Sequence, residues 1–176
     1  MARFLLAWEL GEGLGHVNRL LPLATALRDG GHDTTWAVKD VAVSGRRLAP
    51  DLGPIVAAPV RPNPKNAQTP FSLADILATL GFSRAETFWP MLKAWIDLLQ
   101  LVRPDALIGD YAPTALLAAR VLDIPAASIG NGFEVPPDQA PLPSLQPWQS
   151  VPRGRLERSE KVVLHALNSV LRVQAR

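Results

Sequence analysis

The chain has no cysteine, which excludes a disulfide framework and thiolate-ligated zinc and leaves either redox compartment open. It has three histidines, His16, His32 and His165, with no HxxxH or HxH spacing among them, so no protein-built metal site is expected. No stretch approaches the roughly 20 apolar residues of a membrane span. The short apolar run Phe4–Trp8 is followed at once by Glu9, unlike a secretory leader, and a cytoplasmic protein is expected. Basic charge is sparse in the body of the chain: there is no Lys/Arg stripe interleaved with aromatics, so nucleic acid is not expected as a partner. The formal charge of +2 is uneven. Arg153, Arg155, Arg158, Lys161, Arg172 and Arg176 against Glu157 and Glu160 put a net +4 into the final segment, leaving −2 for the rest. A solvated helix face accounts for that bias, with peripheral contact to an anionic membrane as the weaker reading.

What is present reads as one globular core, since 48% hydrophobic and 19% charged residues over 176 positions match an ordinary folded domain. The chain is organised around Leu10–Leu21. There the apolar run breaks into Gly11-Glu12-Gly13-Leu14-Gly15-His16 and an amphipathic segment begins, the pattern of strand, glycine turn and helix. Glycines at alternate positions let the backbone come close to a ligand, and the N–H groups of the following helix add partial positive charge.

Further on, Leu20, Leu21, Leu23, Ala24 and Leu27 make a helical stripe that stops at Gly30-Gly31. Pro22 must then lie near the first turn or bend the helix. Thr34–Val38 and Pro54–Pro59 read as the second and third strands, with a short helix over Val41–Leu48 between them. Val60–Phe71 is a proline-rich loop. Ser72 caps a helix through Leu80, and Phe88, Leu92, Trp95, Ile96, Leu99 and Val102 form a second helical stripe. Asp105–Gly109 is a buried strand in type, ending at Asp110, and Pro113 opens an alanine-rich helix to Leu122. Ile124–Ile129 is the fifth strand, ending at Gly130-Asn131-Gly132. Strands alternating with helices predict an α/β fold, a Rossmann-like doubly wound parallel sheet with ligands at the carboxyl ends of its strands. The expected layout is a single domain over 1–176: a core over 1–133, a proline-rich loop over 133–152, and a terminal amphipathic helix over 153–176 whose apolar face is Val163, Leu164, Leu167, Val170 and Leu171.

The glycine turn is neither a dinucleotide fingerprint nor a P-loop. Its third glycine comes too early, no lysine followed by Ser or Thr is present, and Asp40 is a poor candidate for a ribose-binding acid. The informative pair is His16, leaving the first strand, and Asp110, ending the fourth, because those strands are neighbours in the usual doubly wound order. An imidazole at a helix N-terminus has its charged form disfavoured and can accept a proton, and a carboxylate on its other nitrogen would set the tautomer. His32 reads as structural, and His165 has no visible partner. Glu9 and Glu12 flank the turn and read as solvated carboxylates.

Gly13-Leu14-Gly15-His16-Val17-Asn18-Arg19, followed by Leu23-Ala24, Leu27 and Gly31-His32, resembles the opening of GT-B glycosyltransferases of the UDP-glycosyltransferase group. Pro104–Asp110, the alanine-rich helix and Ile124-Pro125 resemble the acidic strand end and following strand of the same family. The resemblance spans residues 1–133. It implies the N-terminal, acceptor-binding half of a GT-B architecture, truncated before its last strands, with His16 as general base, Asp110 steadying it, and Gly13, Gly15, Asn18, Arg19, Gly130 and Asn131 as substrate-binding positions. It also implies inverting transfer of a hexosyl group from a nucleotide sugar to a small-molecule or lipid-linked acceptor, with the proline-rich loops shaping the acceptor pocket. No cofactor is implied; the nucleotide sugar is a co-substrate held mainly by a donor-binding domain that this sequence lacks. The chain alone is then expected to be inactive, completed by a donor-binding domain or partner chain. The alternatives are a non-catalytic Rossmann-like binding module, or the acceptor subunit of a split transferase.

Overall fold

The computed structural model describes residues 1–62 and 69–174, so the middle of the expected loop over Val60–Phe71 lies outside the described residues. In chain order the elements are β1 (Arg3–Trp8), α1 (Gly15–Asp29), β2 (Asp33–Val38), α2 (Val41–Gly45), β3 (Ile55–Ala57), α3 (Leu73–Leu77), α4 (Ala85–Val102), β4 (Ala106–Asp110), α5 (Pro113–Val121), β5 (Ala126–Ile129) and α6 (Arg153–Gln174). They fall into two compact units, Met1–Val60 with Leu92–Gly130, and Arg61–Met91 with Asn131–Arg176. No helix of the described residues is long and apolar enough to cross a membrane.

The first unit holds the sheet. All strand pairs are parallel, in the order β3-β2-β1-β4-β5, which is the Rossmann-like doubly wound arrangement expected from the alternating pattern. β1 lies in the middle, and its residues Leu5, Leu6, Ala7 and Trp8 are all buried, because a central parallel strand is covered on both faces and so reads as a continuous apolar run. β5 lies at the edge, where Ala126, Ala127 and Ser128 are exposed. Helix α1 docks through Val17, Leu20 and Ala24 on Leu6, Trp8, Trp36 and Val38. It ends as its glycines predict: the Gly30 N–H donates to the Ala26 carbonyl, and the His32 N–H to that of Leu27. Pro22, expected near the first turn or at a bend, lies in the helix interior because α1 begins at Gly15. In α5, Ala115, Ala118 and Ala119 are fully buried, the close packing that an alanine-rich helix permits.

From β1 the chain winds outward to β2 and β3 on one side, and later to β4 and β5 on the other. The winding direction reverses between β1 and β4, the position at whose carboxyl ends doubly wound sheets bind ligands.

In the second unit, α6 packs against α3 and the π-helical segment Ala78–Phe82. Ser72 caps α3 as expected, in a capping box with Asp75. The other carboxylate oxygen of Asp75 accepts from Ser159 Oγ of α6 at 2.6 Å, and Arg155 lies 4.0 Å from the ring centroid of Phe71. The helix expected to reach Leu80 is α-helical only to Leu77, because Gly81, with φ of 103°, takes a backbone no α-helix contains. The apolar face of α6 is corrected at one position: Leu164 is 53% exposed, while Leu156, Val163, Ala166 and Val170 are buried. Leu164 directly follows Val163, and adjacent helical residues point about 100° apart.

Gly53 makes the turn into β3 with φ of 88°, and a Cβ there would stand 1.8 Å from the Thr34 carbonyl oxygen of β2. Gly53→Ala is therefore expected to lower stability by more than the roughly 1–2 kcal/mol of a left-handed backbone alone, because the pairing of β3 with β2 must also shift. Urea unfolding measures this, and a loss within that backbone cost would show that the edge accommodates the methyl.

Candidate active site

The two candidate side chains meet at the carboxyl ends of β1 and β4. Trp8 and Asp110 are partners in the β1–β4 register, and after Trp8 the chain runs through the glycine turn to place His16 as the second residue of α1. His16 Nδ1 lies 3.0 Å from Asp110 Oδ1, both side chains being buried. The 94-residue separation is closed by the β1–β4 pairing together with the glycine turn. The imidazole stacks on Trp8, with centroids 5.4 Å apart and planes at 18°, and on Tyr111 at 6.0 Å and 30°, so the ring plane is set by two aromatic neighbours as well as by the carboxylate.

The same Asp110 oxygen accepts from Arg19 Nη1 at 2.7 Å. One buried carboxylate oxygen thus takes both the imidazole and a guanidinium, while Oδ2, also buried, has no hydrogen-bond partner among the described residues. An Nδ1–H held by a carboxylate directs the ring's acceptor lone pair to Nε2. Gly11 lies against that nitrogen: a Cβ built there would be 2.4 Å from His16 Nε2, and its φ is 80°. The turn therefore needs glycine at position 11 for the ring as well as for the chain.

The other positions marked in the sequence fall on several segments. Gly13 is exposed with φ of 78°, and Gly15 is the first residue of α1. The Asn18 side chain accepts from Arg47 Nε at 2.8 Å. Gly130 directly follows β5, whose Ile129 pairs with Asp110. Asn131 begins a segment of the second unit, where its N–H donates to Glu134 Oε2 at 2.7 Å and its side-chain oxygen accepts from the Phe133 N–H. His32 accepts the Ala2 N–H on Nδ1 and meets Phe4 edge-on, a structural place as expected. Asp40 caps α2 by accepting from the Val43 N–H, and His165 is exposed on α6.

Two residues were missed or misread. Lys39 donates through Nζ to the Gly11 carbonyl at 2.7 Å and to Glu12 Oε1 at 2.8 Å, bracing the glycine turn from the end of β2. Its position just past the strand next to β1 is the signal that could have found it. Glu9, expected to be a solvated carboxylate, is instead 1% exposed. It accepts from the Thr114 N–H at 2.8 Å, Thr114 Oγ1 at 2.5 Å and, at 3.4 Å, the Ala115 N–H. Burial pushes its carboxyl up to about 7, and those three hydrogen bonds pull the other way.

No protein-family model and no curated protein matches the chain. Solved structures do. The glycosyltransferase SnogD from Streptomyces nogalater aligns over 99% of this chain and 41% of its own length, at 17% identity and a TM-score of 0.58. The glycosyltransferase SsfS6 from Streptomyces sp. SF2575 aligns over 74% of this chain and 39% of its own (20%, 0.51), and MurG from Acinetobacter baumannii over 73% and 35% (20%, 0.52). The chain thus has the Rossmann-like fold found in GT-B glycosyltransferases, and it spans about two-fifths of the length of such structures.

Two outcomes follow from this geometry. Glu9 binds its proton more tightly folded than unfolded, so its contribution to stability is fully present below its ordinary value of 4.5 and is lost as pH rises through about 7. The loss is of the order of 3 kcal/mol. Chemical denaturation at pH 5 and pH 8 should show wild type losing more stability than Glu9→Gln across that interval; equal losses would mean that Glu9 does not titrate there. Gly11→Ala should displace the His16 ring and cost at least about 1–2 kcal/mol through its backbone. A crystal structure of that variant with the His16 to Asp110 distance unchanged would contradict the close approach.

Proposed function

We propose that this chain is the acceptor-binding part of a GT-B glycosyltransferase, in which His16 is the general base and Asp110 its orienting acid. The observation that carries the proposal is the buried contact of 3.0 Å between His16 Nδ1 and Asp110 Oδ1 at the switch point of the sheet, where doubly wound folds bind ligands. The fold shared with SnogD and SsfS6 supports it. SsfS6 has also been solved in complex with thymidine diphosphate, which fits a nucleotide sugar as donor.

In this reading His16 takes the proton of an acceptor hydroxyl on Nε2. The oxygen lone pair forms a bond to the anomeric carbon of the sugar. The bond from that carbon to the diphosphate breaks, and the nucleoside diphosphate leaves with the electron pair. Asp110 holds Nδ1–H and stabilises the imidazolium as it forms, the division of labour in any base with an orienting carboxylate. Trp8 and Tyr111 hold the ring so that proton transfer requires no reorientation. Gly13, Gly15, Asn18, Arg19, Gly130 and Asn131 are proposed contacts to substrate. Donor binding and the completed reaction belong to a donor-binding domain, supplied in the same polypeptide or by a partner chain.

With such a domain present and UDP-glucose or TDP-glucose as donor to a phenolic acceptor, His16→Ala should lower turnover by about 10² to 10⁴, the usual contribution of a general base. Unchanged turnover would remove the base assignment and leave a non-catalytic binding module as the better reading.

A further inference from the structure

We infer that Glu9 is a positioning residue of the His16–Asp110 pair: its buried carboxylate clamps the first turn of α5 and thereby sets where Asp110 is held against His16. The inference takes its functional meaning from the reading of that pair as reacting groups, while its readout is the hydrogen bond between them.

Helix α5 cannot cap itself. Its N-cap residue is Ala112, which makes no side-chain cap hydrogen bond, and its first residue is Pro113, which has no N–H. The first free donors are the backbone N–H groups of Thr114 and Ala115, the N2 and N3 positions that a cap side chain ordinarily satisfies. Both are buried, and both donate to Glu9, together with the Thr114 hydroxyl. The cap is thus supplied by the residue that follows β1, 105 residues away in the chain.

The clamp bears directly on Asp110. Trp8 pairs with Asp110 in the ladder, and the next residues of β1's strand end continue the grip past it. The Leu10 N–H donates to the Tyr111 carbonyl at 2.9 Å, and Glu9 takes the donors of Thr114 and Ala115. Tyr111, between these holds and directly after Asp110, has φ of 50°, a left-handed backbone that its surroundings must maintain. Tyr111 is also one of the two rings stacked on His16. Losing the carboxylate leaves two buried N–H groups without their acceptor. The turn carrying Asp110 and Tyr111 is the element that must then move, because β1 and β4 are fixed by their ladder.

The test is NMR on the full chain, following the His16 Nδ1 proton, assigned by its loss in His16→Asn. Glu9→Gln keeps an oxygen facing Thr114 and should keep that resonance. Glu9→Leu and Thr114→Val should accelerate its exchange with solvent by about tenfold or more, and Thr114→Ser should restore slow exchange. Should Glu9→Leu not fold, Thr114→Val carries the test, with the backbone amide spectrum of α1 as the control for folding. A folded Glu9→Leu or Thr114→Val chain with wild-type Nδ1 exchange would overturn the inference. That result would leave His16 as a base untouched, just as a fully active His16→Ala enzyme would leave the clamp untouched.

Discussion

The parallel pairing of β1 with β4 is the constraint on which the rest of the site depends. It puts Trp8 beside Asp110 and makes neighbours of two strand ends whose following segments wind apart. It also converts a sequence separation of 94 residues into a contact of 3.0 Å. The stacking of His16 on Trp8 and Tyr111, the guanidinium of Arg19 on Asp110, and the reach of Glu9 to the start of α5 all exist because those two strand ends lie side by side.

Around that pairing the site is built to hold one imidazole still. An indole and a phenol lie against the ring, a carboxylate takes Nδ1, and a glycine stands where a Cβ would crowd Nε2. Lys39 and Glu9 then tie down the two loops that supply these groups, one on each side of β1. In the proposed reaction, holding the base in place before substrate arrives removes reorganisation from the proton-transfer step. This is the physical reason the pair is read as functional rather than as two caps. A lone capping histidine would require neither a position where an added Cβ would stand 2.4 Å from its Nε2 nor a guanidinium on the carboxylate it meets.

The periodicity of the chain predicted the fold well where one periodic signal dominates. The continuous apolar run of β1, the alanine-rich α5 and the glycine stop of α1 all lie where their patterns put them, because each depends on a local match between residue type and covering surface. Prediction was poorer where burial is decided by another segment. Glu9 looks like a surface acid beside a turn, and only the arrival of α5 at that point makes it a buried cap. Leu164 looks like part of an apolar stripe, but the face of α6 is chosen by its packing partners, α3 and the π-helical segment. The site divides in the same way: His16 follows β1 through the glycine turn and Asp110 ends β4, so they could be paired from strand order, whereas Lys39 acts through its reach to a backbone carbonyl.

The sequence by itself determined the alternation of strands and helices, the glycine turn, and the histidine and aspartate that follow and end two neighbouring strands. These follow from local propensity and from the handedness rules of parallel sheets. Only the tertiary structure decided which atoms those side chains present to each other, that Arg19 shares their carboxylate oxygen, and that Glu9 is buried. Each of these depends on distances between segments about a hundred residues apart in the chain, and residue type and spacing carry no measure of them.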